Sequence, residues 1–471
     1  MKKAKSLIFI TILILGGIYT LIHFTLGNEK LEFLKKSLHP EQKLILKKYF
    51  FPYNYISELE QAIISADNQG NKQGQLIQLL ETYIHDSELK FKATGKNIET
   101  IEENFQLSNN KTLKKYKLTE GFVTGINNIV PGSGYIDFHQ NNLFILSSRG
   151  VLAYSQNINN ENHFKQIKNN INNFIGLKQF SKKKWFSLKD LFIDKNKIFI
   201  SYTEEIKENC FNTSVIYGDI NYKNITFKKL FSPKTCAILD NNTNQEMSEN
   251  EFNAHQSGGK IISFDNNNIL LSIGEYRKRY LAQDKESVNG KIIKINIDNA
   301  KYEIISMGHR NPQGLYFDIE NNFVIESEHG PRGGDEINII EVDKINNDKI
   351  LNYGWPVVSA GEHYGIKRLN KKKYEKYPLY KSHSKYGFIE PLKSFVPSIG
   401  ISEITKIKDN KYVVSSMKDK SLYFFEIDGE KKIINLERVD VTERVRDLKL
   451  HDNKLYLFLE DTASIGVISL N

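Results

Sequence analysis

Leu315-Tyr316-Phe317-Asp318 is followed, after a short polar connection, by Phe323-Val324-Ile325. An apolar run, a turn rich in Asp, Asn and Lys, and a second apolar run make the pattern of two strands joined by a tight turn. The same phrase recurs at Ile136-Asp137-Phe138 with 143–146, and at 191–194 with 198–200. It returns at 262–265 with 269–271, at 407–409 with 412–414, and at 448–450 with 455–457. No single hairpin buries enough apolar surface to be stable alone. Hairpins repeated at long, irregular spacing predict an all-β fold, a six-bladed β-propeller in which each blade is a four-stranded sheet. A β-sandwich is the alternative, but it rarely carries an imperfect six-fold repeat.

Outward from these hairpins the chain changes character. Residues 30–85 place Leu31, Leu34, Leu38, Ile45, Ile56, Leu59 and Ile63 near helical spacing. Residues 28–118 therefore read as a small helical/mixed spacer, in which Ser87 to Thr100 is strand-like and 101–118 is left unassigned, and 119–471 as the propeller body. Ahead of both, Met1-Lys2-Lys3-Ala4-Lys5 is basic, and Ser6 to Leu26 carries no formal charge. A span of about 20 such residues crosses the hydrocarbon core as a helix. Thr25-Leu26-Gly27-Asn28 makes a poor cleavage site, so residues 1–27 read as an uncleaved signal-anchor. The basic flank stays inside and the body lies outside the cytoplasm, in the periplasm if the cell is Gram-negative.

At 471 residues, with 40% hydrophobic and 11% aromatic residues, the chain is globular rather than disordered. Its net charge of +9 comes from 65 basic and 56 acidic residues. The lysines are dispersed and no recognition motif accompanies them, so a solvated basic surface is expected and not a nucleic-acid partner. Cys210 and Cys236 are the two cysteines. In an exported body they are expected to pair, the alternative being two buried thiols.

Chemistry concentrates in three segments. Residues 308–315 read Gly-His-Arg-Asn-Pro-Gln-Gly-Leu, residues 328–338 read Glu-His-Gly-Pro-Arg-Gly-Gly-Asp-Glu-Ile-Asn, and 352–356 read Asn-Tyr-Gly-Trp-Pro. They lie between strand-like runs and read as site-building loops on a rigid scaffold. His309 is expected to order its loop. Asp335 and Glu336 suit either a structural calcium or a turn cap, and Trp355 either walls a substrate site or fills a blade.

With these motifs, residues 120–470 resemble the soluble glucose/sorbosone dehydrogenases, six-bladed propellers that use pyrroloquinoline quinone (PQQ) and calcium. The resemblance implies that His255, in Ala254-His255-Gln256-Ser257-Gly258-Gly259, is the catalytic base. It implies that Arg310 and Asn311 lie beside the quinone, and that the backbone carbonyls of Gly330 and Pro331 hold Ca²⁺. Lys418, in Ser415-Ser416-Met417-Lys418, is implied to contact the cofactor, and Arg444 and Arg446 to meet its carboxylates. The physical reading agrees. The quinone has three carboxylates, which guanidinium forks grip bidentately, and carbonyl oxygens suit a hard cation. Arg444 and Arg446 flank Val445, so on a strand both face one side.

Two departures qualify the resemblance. The family places an acidic residue just before its catalytic histidine, where this chain has Ala254. The family's glutamine in an earlier blade falls near Lys184 or Trp185. Without the acid, His255 is a weaker base. The leading expectation is a membrane-anchored, outward-facing dehydrogenase that oxidises a sugar or polyol and passes electrons to an unknown acceptor. Its rival is a propeller that kept the fold, lost the chemistry, and binds carbohydrate or protein. A Ca²⁺-dependent lactonase-type propeller would need an acidic cluster on the central channel, where mainly basic residues are expected.

Overall fold

The computed structural model describes residues 97–470, apart from 109–110, 119–132, 149, 159, 176–187, 240–251, 346–349 and 364–374. The expected membrane span and the helical stretch 30–85 lie outside the described residues. Among the described residues, no helix is long and apolar enough to cross a membrane.

The fold is all-β. All six expected hairpins form, each as the first two strands of an antiparallel group. The groups begin with Gly134–His139 and Asn142–Ser147, Leu188–Asp194 and Lys197–Lys207, and Gly258–Ser263 and Asn268–Ile273. They continue with Pro312–Asp318 and Phe323–Glu328, Ile401–Lys408 and Lys411–Ser416, and Val445–His451 and Lys454–Leu459. Their turns place polar residues in the left-handed region, among them Asn322 (φ 52°), Asp409 (φ 47°) and Asn453 (φ 56°). Short polar side chains tolerate that conformation better than apolar ones. Further strands extend each group outward, for example Lys291–Asn296 and Tyr302–Met307 in the third.

The first strands adjoin one another in sequence order, and the one at Val445–His451 returns to that at Gly134–His139. The apolar core lies between faces of neighbouring sheets. Phe199 and Val215 of the second group pack with Ile261, Leu271 and Ile293 of the third, all essentially inaccessible to solvent. Tyr456, Phe458 and Ile465 near the C-terminus pack with Ile136, Ile145 and Phe164 of the first. This face-to-face burial gives the inner strands an apolar side towards each neighbouring sheet, which is why strands such as Asn142–Ser147 and Asn268–Ile273 read as near-continuous Ile, Leu and Phe. Cys210 and Cys236 form a disulfide across the edge of the second group.

Two expectations need correction. The strand body does not begin at residue 119. Asn97–Gln106 and Thr112–Leu118 are strands, paired with each other. Thr112–Leu118 is also the outermost strand of the last group, hydrogen-bonded to Ser464–Ser469. It buries Leu113, Tyr116 and Leu118 against the C-terminal sheet, so the sequence just before 119 closes the fold rather than spacing it. The second correction concerns the central first strands, where the third position is acidic in three groups. Asp190, Glu403 and Asp447 are buried and converge on the ammonium of Lys260, with Asp190 at 3.1 Å and Asp447 at 3.5 Å. Their oxygens also accept from the backbone N–H groups of Ile261, Ile404, Leu448 and Ile136. The acids thus stitch neighbouring sheets to one another around a buried lysine.

Candidate active site

The expected site residues lie at one end of the sheets. His255 precedes the strand Gly258–Ser263, and Arg310 and Asn311 precede Pro312–Asp318. Arg444 precedes Val445–His451, in which Arg446 is the second residue. Gly330 and Pro331 follow the strand Phe323–Glu328, and Lys418 follows Lys411–Ser416. An antiparallel hairpin returns its second strand to the end where its first began. Entry loops and exit loops of successive groups are thereby delivered to the same face.

Arg310 is the hub. Its Nη1 donates to the carbonyls of His329 (2.9 Å) and Gly330 (2.6 Å), and its backbone N–H donates to Glu328 Oε2 at 2.6 Å. With its amide turned to satisfy both neighbours, Gln256 accepts from Arg310 Nη2 at 2.7 Å and donates to Glu275. The guanidinium lies 5.4 Å from the centre of the Trp355 ring, whose other cationic neighbour, Arg279, lies at 4.9 Å. Trp355 is buried, so it supports Arg310 rather than forming an open wall. Asn311 joins two groups: its Oδ1 accepts from Gly258 N (3.0 Å) and its Nδ2 donates to the His255 carbonyl (3.3 Å).

Arg444 and Arg446 share one buried carboxylate. Glu460 accepts from Arg444 Nε at 2.8 Å and from Arg446 Nη2 at 2.6 Å. Burial alone would raise the Glu460 carboxyl, but Arg446 and Arg444 overcome this and hold it at about 2. Arg444 Nη2 also reaches Met417 Sδ at 3.6 Å, which brings the Lys418 turn to the same place. Lys418 itself is exposed.

The loop carrying Gly330 and Pro331 is fixed by Asp335. Its Oδ1 accepts from Gly330 N (3.1 Å), and its Oδ2 accepts from Gly400 N (2.7 Å) and Ile401 N (3.0 Å). Asp335 therefore caps turns. A Cβ at residue 330 would collide with the Gly334 carbonyl, so the tight return there requires glycine. The Gly330 carbonyl faces Arg310, and the Pro331 carbonyl accepts from Ser398 Oγ at 3.3 Å. Asn352 and Gly354 order the neighbouring loop through Gln283, as Asn352 Oδ1 accepts from Gln283 Nε2 at 3.1 Å and from Gly354 N at 2.9 Å.

His255 is open to solvent but ringed by protein. Loss of hydration, then the charges of Lys189, Arg446 and His329, hold its imidazole below the usual histidine range, with only Glu460 opposing. The imidazole is thus neutral, a proton acceptor, at ordinary pH. Burial likewise lowers His329 to about 4, against Asp335 and with the help of Arg310, Arg446 and Arg444. Behind Arg310, His309, Glu326 and Glu328 are fully buried and close together. His309 Nε2 shares a hydrogen bond with Ser306 Oγ at 2.8 Å, consistent with a loop-ordering role. Burial and then Glu328 push Glu326 well above the carboxylate range, so it is a neutral acid donating or accepting within the cluster.

The sequence did not single out Glu460, Glu275, Gln256 or Lys189. Glu460 had a faint signal, as a charge ending the apolar run 455–459. A cavity of about 560 Å³ lies beyond the Lys260 cluster, at the other ends of the first strands, lined by Phe192, Phe264, Phe317 and Leu450. Lys260 and Glu403 of the buried cluster reach its lining, and His255, Arg310, Asn311, Lys418, Arg444 and Arg446 do not.

The sequence pattern of the glucose / sorbosone dehydrogenases matches residues 186–468, more than half of the chain. The chain belongs to the glucose/sorbosone dehydrogenase family. Among relatives of this family, aldose sugar dehydrogenase YliI of Escherichia coli is 25% identical over 58% of this chain and 72% of its own length. Quinoprotein glucose dehydrogenase B of Acinetobacter calcoaceticus is 33% identical over 22% of this chain and 27% of its own. An uncharacterized protein of Synechocystis aligns at 28% identity, and the chain spans 53% of its length. Among solved structures, the PQQ-bound form of aldose sugar dehydrogenase from Streptomyces coelicolor aligns with a TM-score of 0.52. It shares 15% identity over 76% of this chain and 98% of that one, which makes the propeller-like fold the common property.

Proposed function

We propose that this glucose/sorbosone dehydrogenase family member is a PQQ-dependent dehydrogenase that oxidises a hydroxyl of a sugar or other polyol. The observation that carries the reading is the convergence of Arg310, Arg444, Arg446 and the Lys418 turn beside a neutral His255. Two guanidiniums share the single carboxylate of Glu460, so the site keeps positive charge for an anion. That donor set fits a planar tricarboxylate, with Arg310, Lys418, Arg444 and Arg446 as its holders. The quinoprotein and aldose sugar dehydrogenase relatives support the same cofactor and substrate class.

Bound quinone supplies a two-electron acceptor for hydride. The chain's own part is positioning and proton transfer. His255 accepts the proton of the substrate hydroxyl as the C–H bond gives up hydride, leaving a carbonyl product. Asn311 and Gln256 tie the His255 turn to Arg310, so base and cofactor-holding groups keep one geometry. Electrons then leave to a separate acceptor. Calcium belongs to the proposal through the family alone. A divalent cation at Gly330 would share that carbonyl with the Arg310 guanidinium.

The proposal extends to the whole chain. The adjoining first strands support closure into six blades. The uncharged segment 6–26 behind a basic flank supports a membrane anchor, with the body outside the cytoplasm, and the Cys210–Cys236 disulfide suits an oxidising compartment. The test is dye reduction by the full chain with PQQ, with and without Ca²⁺, across a panel of aldoses and polyols. Quinone-dependent reduction that falls in H255A supports the enzyme. Glycan binding with no turnover, unaffected by H255A, supports instead the binding-module reading that Ala254 favours.

A further inference from the structure

We propose that Lys189 is a positioning residue for the His255 base: its ammonium fixes the Ala254 carbonyl and sets a positive charge beside the turn that carries the imidazole. This rests on the reading of His255 as the base.

Lys189 is the second residue of the strand Leu188–Asp194, at the end where the site lies. Its stem packs on Gly259, which has φ +119°, and a Cβ at that glycine would collide with Lys189 Cβ. The missing side chain at 259 is what lets the lysine lie across the neighbouring strand. Its Nζ then donates to the Ala254 carbonyl at 3.0 Å. Ala254 is buried and opens the short turn Ala254–Gln256 that carries His255. The same turn is held by Asn253, whose side chain accepts from His255 N at 2.8 Å, and by Asn311 on the His255 carbonyl at 3.3 Å. Three contacts therefore hold the backbone of the turn that carries the imidazole, and Lys189 supplies the only charged one among them.

The charges facing the ring are Lys189, Arg446 and His329 on the positive side and Glu460 on the negative. Glu460 is engaged by both Arg444 and Arg446, so its pull towards a protonated imidazole is weakened. Glu275 approaches only through Gln256. An acid at 254 would favour imidazolium; the alanine removes that influence and the lysine adds the opposite one. The result is a base of low affinity for protons that stays deprotonated far into the acid range. Loss of basicity is exchanged for full availability. The lowering of Lys189 itself to about 7, by burial first and Arg446 second, is the reciprocal sign of this crowding of cations.

The experiment uses the full-length apoprotein with ¹³C-labelled histidine, the His255 signal being assigned by its loss in H255N. K189M and K189R are compared with the parent by NMR titration and by the pH profile of kcat/KM for dye reduction. The expected result is an upward shift of the His255 midpoint by about 1 unit in K189M, as for removal of a nearby like charge, and little shift in K189R. The acid limb of kcat/KM moves up with it. If K189M does not fold, K189Q, which keeps a donor for the Ala254 carbonyl and removes the charge, carries the test. A midpoint unmoved in the folded neutral variant overturns the proposal. A midpoint that shifts in a protein showing no quinone-dependent turnover leaves the Lys189 coupling standing and overturns the dehydrogenase reading instead.

Discussion

As the proposed base, His255 is held below the usual histidine range by burial first and by the surrounding charges second. An imidazole beside a carboxylate gains proton affinity, whereas here the immediate neighbours are cations and the preceding residue is Ala254. A general base acts in its deprotonated form, so rate falls as pH drops through its folded pKa. That pKa lies below the usual value of 6.5. The acid limb of kcat/KM should therefore lie below pH 6.5, where an unperturbed histidine would place it. H255A is expected to lower kcat by about 10² to 10⁴-fold, the usual contribution of a positioned base, while quinone binding persists. A profile that breaks near 6.5, measured by stopped-flow dye reduction, would show that the cations do not reach the ring. The histidine itself was legible from its motif. Its electrostatic setting was not, because Lys189, His329 and the pair Arg446 and Glu460 come from three other groups of strands and have no spacing relation to residue 255.

Among the elements, the six hairpins were legible because both strands and the turn lie within a few residues of each other. Alternation and turn chemistry are local properties. The strand Thr112–Leu118 was not, since its hydrogen-bonding partners in the last group are residues 464–468, at the far end of the chain. Pairing across that separation leaves no local signature beyond a pattern of buried Leu113, Tyr116 and Leu118. A chain beginning at residue 119 is therefore expected to lose cooperative thermal unfolding, while one beginning at 97 keeps it. Circular dichroism melts of the two distinguish them. Y116A in the intact chain, which empties a fully buried site, should cost about 3–5 kcal/mol.

The buried acids behind Arg310 give the strand Phe323–Glu328 a pH signature. Glu326 is raised well above the ordinary carboxylate value, with burial the first cause and Glu328 the second. A carboxyl whose folded pKa exceeds its unfolded one stabilises the fold fully below the unfolded value, and that contribution is lost as pH rises through the folded one. The parent's melting temperature should therefore fall more between pH 5 and pH 9 than that of E326Q, which keeps a neutral group of the same shape. Equal slopes in differential scanning fluorimetry would remove Glu326 from the neutral-acid role.

On the scale of the whole molecule, one geometric rule explains the site. Each group of strands presents the start of its first strand and the end of its second to the same face, so loops distant in sequence meet there. The motifs around 310, 330 and 444 were readable one by one, and the fold brings Arg310 to Gly330 and Arg444 to Met417. The carboxylate that binds Arg444 to Arg446 and the lysine behind His255 emerge only once the sheets are assembled. Between the face carrying the site and the cavity at the opposite ends lies the Lys260 cluster, in which Asp190, Glu403 and Asp447 tie their three sheets to that of Lys260. Stability and chemistry thus draw on the same first strands, with Lys189 next to Asp190 and Arg446 next to Asp447.

The most direct measurement is a PQQ titration of the full-length apoprotein, followed by quinone absorbance and isothermal calorimetry, in the parent and in R310M and R444M/R446M. The expected result is saturable binding at micromolar or lower quinone, weakened by about 10-fold or more in each variant, as for loss of hydrogen bonds to charged groups. No saturable binding by the folded parent, or equal affinity in all three proteins, would contradict the assignment of this face as a quinone site.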